Sequence, residues 1–485
     1  MVFLSKILQN IDLLEFQNSK ISINSIITDN RLAKQNDLFV AIKGTATDSH
    51  QYIKDAISKG VSAVVCEYIP ADRLKDFNYI VVKNSREIIG QLASNFYDNP
   101  SSKLKLIGVT GTNGKTTVAT LLKNLFTNLG YKTALISTIQ NVIGEEIIPS
   151  THTTPDPVSL NALLAKMVEK DCEYCFMEVS SHAVDQNRIG GLTFAGGIFT
   201  NITHDHLDYH KTFDNYLKAK KKFFDNLPSS AYALTNKDDR NGLVMLQNTK
   251  ASKYTYSLKN ISDFKGKIIE SDLTGLLFEI DGTQAWYGLS GDFNAYNLLA
   301  VYGTAFILDI PKEKIIEALT KTRGAKGRFE IVRSETGVLG VIDYAHTPDA
   351  IKNVLETINK VRSRNETLTT IIGCGGDRDK EKRPIMGDIA STLSDKVIFT
   401  SDNPRSEDPE TILAEMKAGV KAQHFKKILK ITNREEAIQV AVSQAKKGDI
   451  ILLAGKGHED YQDVNGVKTH FDDFEKLKQA FENIS

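Results

Sequence analysis

Lys115 sits in GVTGTNGKTT (108–117), behind Gly111 and Gly114 and ahead of Thr116 and Thr117. Small residues at Gly111, Thr112, Asn113 and Gly114 let backbone N–H groups turn toward an anion, and a helix N-terminus adds the positive end of its dipole. Lys115 supplies a point charge for β- and γ-phosphate oxygens, and the Thr116 hydroxyl suits Mg²⁺. The strict phosphate-loop pattern asks for glycine at 109, and the chain has Val109. The other reading is a glycine-rich turn with a chance lysine. KLIGVTG (105–111) before it reads as an apolar strand and TTVATLLKNLFTNLG (116–130) after it as an amphipathic helix, which favours phosphate.

A second concentration of chemistry lies between 152 and 210, with His152, His182, His204, His206 and His210. MEVSSH (177–182) ends a buried strand with Glu178, and NITHDHLDYH (201–210) follows another. A carboxylate and an imidazole at neighbouring strand ends suit a divalent ion, although each histidine alone better suits a structural role. In YLKAKKKFF (216–224), Tyr216, Lys220 and Phe224 share one helical face, while Lys218, Lys221 and Lys222 point elsewhere. Lys220 then faces inward, where an ammonium must be paired or modified. A snorkelling lysine on a basic helix is the alternative.

These residues need strands and helices to hold them. The 485 residues are too many for one core. DLFVAI (37–42) and VSAVVC (61–66) read as strands of a first α/β unit, closed by the DNPSSK linker (98–103). KTALIST (132–138), YCFMEVS (174–180) and GGIFTN (196–201) continue the phosphate-loop strand as a parallel sheet running to GAKGRFE (324–330). VLGVIDYAH (338–346), TLTTIIGCGG (367–376), DKVIFTSDNPR (395–405) and DIILLAGKGHE (449–459) make a third block. Its polar residues cluster at strand C-termini, where open parallel sheets bind ligands. The expected fold is thus α/β in three domains. They are an N-terminal α/β domain (1–100), a central parallel-sheet phosphate-loop domain (101–331) and a C-terminal Rossmann-like domain (332–485).

Composition narrows the classes. Lys plus Arg and Asp plus Glu each number 60, which argues against a broad basic face for nucleic acid or an anionic membrane. Four cysteines are too few for a disulfide scaffold, and the lone Cys172–Cys175 CxxC lies in a strand that reads as buried. The first residues do not read as a signal peptide, and no apolar run is long enough to span a bilayer. A cytoplasmic monomer is expected.

TGTNGKTT (110–117), EVSSH (178–182), NITHDHLDYH (201–210), YLKAK (216–220), GDFNAYN (291–297), GRFE (327–330) and DYAHTPD (343–349) occur in that order. As a set they resemble the Mur ligases, ATP-dependent amide-forming enzymes of peptidoglycan precursor synthesis, over nearly the whole chain. The family's own loop reads TGTNGKTT, which accounts for Val109. GCGGDRDKEKRP (373–384), SDNPRSEDP (401–409) and AGKGHEDYQ (454–462) are similar to the branch that adds a diamino acid to UDP-N-acetylmuramoyl-L-alanyl-D-glutamate. The DNPR form resembles enzymes that use meso-2,6-diaminopimelate, whose distal carboxylate Arg405 could grip bidentately.

The resemblance implies roles residue by residue. Gly111, Thr112, Asn113, Gly114, Lys115, Thr116, Thr117, Asn294, Asn297, Arg328 and Asp343 would bind ATP. Asn30, Thr45, Thr153, Thr154, Ser180, Gln186 and Arg188 would bind the UDP-muramoyl-dipeptide. The family's first-domain motif is commonly Asp-Ser-Arg, and this chain has Asp29-Asn30-Arg31. Arg378, Asp402, Asn403, Pro404, Arg405, Gly455 and Glu459 would hold meso-diaminopimelate. Two Mg²⁺ ions are implied, with Thr116, Glu178, His206 and Lys220 as ligands and Lys220 carrying a CO₂-derived carbamate. Lys115, Lys220 and His206 would be catalytic. The expected reaction activates the D-glutamate γ-carboxylate as an acyl phosphate and then attacks it with an amine. The C-terminal domain would close over the central one, with Asp343 and His346 near the hinge. The competing readings are a lysine-adding Mur ligase, a folylpolyglutamate synthase, and a phosphate-loop motor or switch.

Overall fold

The computed structural model describes residues 1–16, 20–44, 47–71, 73–150, 152–203, 205–363 and 365–483. The expectations for Thr45 and His204 lie outside the described residues. In the first unit, Ile26–Ile27, Leu38–Val40, Ala63–Cys66 and Asn78–Val81 form a parallel four-stranded sheet in chain order. Helix Ser85–Phe96 packs on it through Ile89 and Leu92, and Asn84 caps its N-terminus by accepting from Arg86 and Glu87 N–H groups.

The central sheet has 11 strands. Their order is Glu146–Pro149, Gln140–Ile143, Thr133–Ile136, Tyr174–Glu178, Lys105–Thr110, Gly196–Phe199, Tyr232–Asn236, Ser252–Ser257, Phe264–Asp272, Gly275–Ile280, Thr283–Tyr287. From Thr133–Ile136 to Phe264–Asp272 the neighbours run parallel. The sheet is parallel through its centre, as the sequence implied, and antiparallel hairpins are added at both edges. Asp281 (φ 45°) and Gly282 (φ 77°) turn the outermost hairpin, as a two-residue loop with two positive φ angles does.

Strand alternation divides the central core between two faces. Ile107 and Val109 pack under helices Lys115–Asn128 and Asp292–Ile307. Leu106 and Met177 face helix Phe213–Asp225 and its Tyr216, Phe223 and Phe224. The phosphate-loop strand is therefore central and covered on both sides.

In the C-terminal unit the order is Glu330–Arg333, Leu339–Asp343, Ile450–Ala454, Leu368–Ile372, Lys396–Phe399, Ile428–Lys430, parallel apart from the first. A separate hairpin, Tyr461–Val464 and Val467–His470, turns at Asn465 (φ 52°) and Gly466 (φ 79°). The C-terminal ends of the parallel strands gather Asp343, Gly373, Asp402 and Gly455 on one rim.

Candidate active site

The phosphate loop is braced by the strand end beside it. Thr112 N–H donates to the Asn201 carbonyl at 2.8 Å, and Asn113 N–H to Asn201 Oδ1 at 2.9 Å. Thr200 Oγ1 donates to the Asn113 carbonyl at 2.6 Å. Gly111 has no room for a β-carbon against Thr200, and Gly114 takes φ 87° under Asn297, whose Oδ1 would lie 2.7 Å from a β-carbon. Asn297 Nδ2 in turn donates to Asn294 Oδ1 at 3.0 Å. Lys115 Nζ is folded onto the loop, donating to the Gly111 and Thr112 carbonyls at 2.9 and 2.7 Å. Desolvation lowers its pKa, against the pull of Glu178 and Asp205. Thr116 and Thr117, in the first helical turn, are buried.

Glu178 joins this loop to the next group. Its Oε1 accepts from Thr116 Oγ1 at 2.9 Å and from Thr138 N–H at 2.8 Å. Its Oε2 is buried with no hydrogen-bond partner among the described residues. The Glu178 carbonyl accepts from Thr154 Oγ1 at 2.8 Å, and that hydroxyl accepts from Ser180 N–H at 3.2 Å. Thr153 is paired with Thr138 at 3.0 Å. Arg188 donates to the Thr154 carbonyl at 2.9 Å and to Gln186 Oε1 at 2.7 Å. Thr153, Thr154, Ser180, Gln186 and Arg188 are thus brought together. Asn30 is not in this network among the described residues; its amide donates to Asp55 at 2.7 Å in the first unit. That unit meets the central one where Asn187 Nδ2 donates to the Glu87 carbonyl at 2.8 Å and Gly90 abuts the Gly190 backbone.

The face read from 216, 220 and 224 is inward. Lys220 is 1% exposed, and Tyr216 and Phe224 are fully buried. Lys220 Nζ donates to the Gly111 carbonyl at 2.8 Å and lies 4.7 Å from the Tyr216 ring centroid. Desolvation first, and the Lys115 cation next, push it well below the usual lysine range. Tyr216 Oη lies 3.0 Å from Thr112 Oγ1, so this tyrosine ties the Lys220 helix to the phosphate loop. His206 takes φ 54° at the start of Leu207–His210. Its ring lies 4.9 Å from that of His182 and 6.0 Å from that of Tyr216. Desolvation lowers its pKa, against the attraction of Asp205. Among the described residues no group of three or more His, Cys, Asp or Glu is arranged to hold a metal ion. Cys172 and Cys175 are free and buried, and desolvation raises both thiols.

On the C-terminal rim, Arg405 takes φ 51° and is held by the hairpin that sequence reading passed over. Its N–H donates to the Asp463 carbonyl at 3.0 Å, and its carbonyl accepts from Asn465 N–H at 2.7 Å. One guanidinium nitrogen donates to the Gly376 carbonyl at 2.8 Å. A β-carbon at Gly375 would lie 2.9 Å from that nitrogen and 3.8 Å from Arg378 Cγ, so the two arginines flank this glycine. The Pro404 carbonyl covers Gly376. Two residues before Arg405, Asn403 donates from Nδ2 to Glu459 Oε2 at 2.8 Å. A β-carbon at Gly455 would lie 2.6 Å from Asp402 Oδ2.

Three hydrogen bonds tie the C-terminal unit to the phosphate loop and the strand end beside it. Asn113 Nδ2 and Thr203 Oγ1 donate to Asp349 Oδ2 at 3.0 and 3.1 Å, and Arg328 donates to Thr116 Oγ1 at 3.3 Å. The Arg328 guanidinium also lies 4.6 Å from the Tyr344 ring centroid. Asp343 is buried behind it, accepts from Phe329 N–H at 2.7 Å, and is raised to about 6 by desolvation. His346 Nδ1 lies 2.8 Å from the Tyr344 carbonyl, on the same loop. Asn201 and Asp349 were not singled out from sequence, although each lies in a quoted motif, and Tyr216 was read only as part of the inward face of its helix.

Three family models match in succession: Mur ligase family, catalytic domain, over residues 22–97; Mur ligase middle domain over 109–305; and Mur ligase, glutamate ligase domain, over 327–457. The chain belongs to the Mur ligase family. It is 55% identical over 465 residues to UDP-N-acetylmuramoyl-L-alanyl-D-glutamate--2,6-diaminopimelate ligase of Cytophaga hutchinsonii, covering 96% of each chain. It is 53% identical over 464 residues to the same-named ligase of Bacteroides thetaiotaomicron, again covering 96% of each. A solved structure of a ligase of that name superposes with TM-score 0.72 at 32% identity, covering 100% of this chain and 99% of that one. A MurF ligase from Thermotoga maritima in complex with ADP shares the fold, with TM-score 0.60 at 19% identity and 95% and 97% of the two chains covered.

Proposed function

We propose that the protein adds meso-2,6-diaminopimelate to the D-glutamate γ-carboxylate of UDP-N-acetylmuramoyl-L-alanyl-D-glutamate, using ATP. The observation that carries this reading is the continuous bonding path through the site. It runs from Arg188 and Thr154 through Glu178 to Thr116, and on through Arg328 to the unit that carries Arg405 and Glu459. In this reading Thr153, Thr154, Ser180, Gln186 and Arg188 hold the dipeptide end of the acceptor. The 111–117 loop with Asn294, Asn297, Arg328 and Asp343 holds ATP, and Asn30 lies on the uridine side. The γ-carboxylate oxygen attacks the γ-phosphorus and ADP leaves. The amine nitrogen then attacks the acyl phosphate carbonyl, phosphate leaves, and the nitrogen loses a proton. Lys115 neutralises charge on the transferred phosphoryl group, and the closed lobes exclude water.

The residues fit a divalent cation. Glu178 Oε2 is a buried carboxylate oxygen without a hydrogen-bond partner among the described residues, and the Thr116 hydroxyl adjoins the other oxygen. Thr116, Glu178, a neutral His206 and a carbamate on Lys220 would hold Mg²⁺, which supplies positive charge for phosphoryl oxygens. Lys220 suits that modification because desolvation favours the neutral amine, whose lone pair can add to CO₂ with loss of a proton. Arg405, flanked by Arg378, would take the distal carboxylate of the amino acid. Glu459, with Asp402, Asn403, Pro404 and Gly455 around it, would take the ammonium. No described helix is long and apolar enough to cross a membrane. We read the protein as a cytoplasmic monomer with domain boundaries near 100 and just ahead of Arg328. The second falls before the expected 331, because strand Glu330–Arg333 pairs within the C-terminal sheet.

The test is phosphate release from ATP with the UDP-muramoyl-dipeptide and each of meso-diaminopimelate, lysine and ornithine. Release is expected only with both acceptor and an amine present, and fastest with meso-diaminopimelate. Turnover with lysine but not meso-diaminopimelate overturns the specificity, and release without any amino acid favours a motor or switch.

A further inference from the structure

Lys456 is 0% exposed, yet no role has been given to it so far. Its ammonium donates to Asn403 Oδ1 at 3.3 Å, to Glu459 Oε2 at 3.4 Å and to the Tyr461 carbonyl. A buried ammonium with three acceptors is a fixed object. It joins three segments: the strand end carrying Asn403, the GKGHE turn carrying Glu459, and the hairpin that pins Arg405. Asn403 Oδ1 also accepts from Asp463 N–H at 3.0 Å, so the amide orientation is determined and Nδ2 is directed at Glu459.

Both Lys456 and Asn403 thus engage the same carboxylate oxygen, Oε2. The other oxygen, Oε1, has only a long contact of 3.5 Å with Tyr344 Oη among the described hydrogen bonds. We propose that Lys456 is a positioning residue of the nucleophile pocket. It locks Asn403 and the Oε2 edge of Glu459 so that Oε1 is presented to the ammonium group of an incoming diamino acid. The charges of the pocket support this. Desolvation and the neighbouring Asp402 disfavour the Glu459 carboxylate, and Lys456 is the cation that opposes them. Arg434 is paired with Asp473 at 2.6 Å and attracts Asp402 and Glu459 through space, but none of its described hydrogen bonds reaches either of them. Without Lys456, Glu459 would lose the cation that is hydrogen-bonded to it, and the Asn403 carbonyl oxygen would lose one of its two donors. The inference rests on the proposed amino-acid specificity and assigns it a new determinant.

The experiment is steady-state phosphate release by the full-length protein and by Lys456→Met, Glu459→Gln and the double variant, varying each substrate in turn. Lys456→Met is expected to raise KM for meso-diaminopimelate by roughly tenfold or more, the size of one lost charge-assisted hydrogen bond. KM for ATP and for the UDP-muramoyl-dipeptide should change by less than about twofold. In the Glu459→Gln background the added Lys456→Met change should be nearly silent, because the two act as one unit. The double variant removes both buried charges together, so it decides the matter even if Lys456→Met alone does not fold. Equal KM increases for all three substrates, multiplicative effects in the double variant, or failure of both Lys456 variants to fold overturn the proposal in favour of a structural lysine. Absence of turnover of meso-diaminopimelate by the unaltered protein refutes instead the functional reading beneath it.

Discussion

Arg405→Lys isolates the recognition of the second amino-acid end. Arg405 commits one guanidinium nitrogen to the Gly376 carbonyl, and its backbone is fixed on both sides by the Asp463–Asn465 turn. The remaining donors form the planar fork that matches a carboxylate. Lysine keeps the charge and bears the same left-handed backbone cost at φ 51°, so the loop is not relaxed by the change. What is lost is one of two parallel charge-assisted bonds, about 1.5–3 kcal/mol. That corresponds to a fall in kcat/KM for meso-diaminopimelate of roughly ten- to a hundredfold. Lysine as substrate has no distal carboxylate, so its kcat/KM should stay within about threefold, narrowing the preference between the two amines. Initial-rate phosphate release at saturating ATP and acceptor measures both ratios. A decrease below threefold for meso-diaminopimelate, or an equal decrease for both amines, would refute the assignment of the fork to that carboxylate.

Other expectations test the frame around the site. Arg383 is 0% exposed and bonds Glu407 and Glu415, so Arg383→Met should destabilise the C-terminal unit by about 3 kcal/mol. This is the lower end for a broken buried pair because both carboxylates keep some solvent, and urea unfolding followed in that unit measures it. Asp343 titrates near 6 in the folded chain against 3.8 unfolded. The folded state therefore binds more protons between these values, and this group's contribution to stability is complete below the unfolded value and lost as pH rises through about 6. Melting of Asp343→Asn against the unaltered chain across that window should show the slope disappear. Gly90→Ala places a methyl group against the Gly190 carbonyl, inside a helix that alanine would otherwise favour. It should raise KM for the UDP-muramoyl-dipeptide severalfold while leaving KM for ATP alone, as substrate-dependent rates will show.

What sequence could convey depended on how local the feature is. The inward turn of Lys220 was legible because helical spacing is set within eight residues. The strand–loop–helix around Lys115 was legible because an apolar run, two glycines and an amphipathic stretch are contiguous. The two hairpins were also signalled, by Asp281-Gly282 and Asn465-Gly466, but attention to buried parallel runs passed over their half-exposed strands. Other features had no local signal at all. The bonds from Tyr216 to Thr112, from Asn113 to Asp349 and from Lys456 to Asn403 join residues 104, 236 and 53 positions apart. Such pairs exist only once strand order is fixed. The family resemblance carried the set of site residues further than spacing did, yet it gave no hint of which side chain holds which.

The resting posture of Lys115 has a cost for any visitor to its loop. Its ammonium already satisfies the Gly111 and Thr112 carbonyls, and the first of these also receives Lys220. A stray anion offering a single weak oxygen gains little by breaking that arrangement. A polyphosphate gains more, because it can draw Lys115 away while filling the backbone N–H cradle at the same time. If Lys115 left that arrangement, the Gly111 oxygen would be left to Lys220 alone, a single carbonyl shared between the loop and the buried helix.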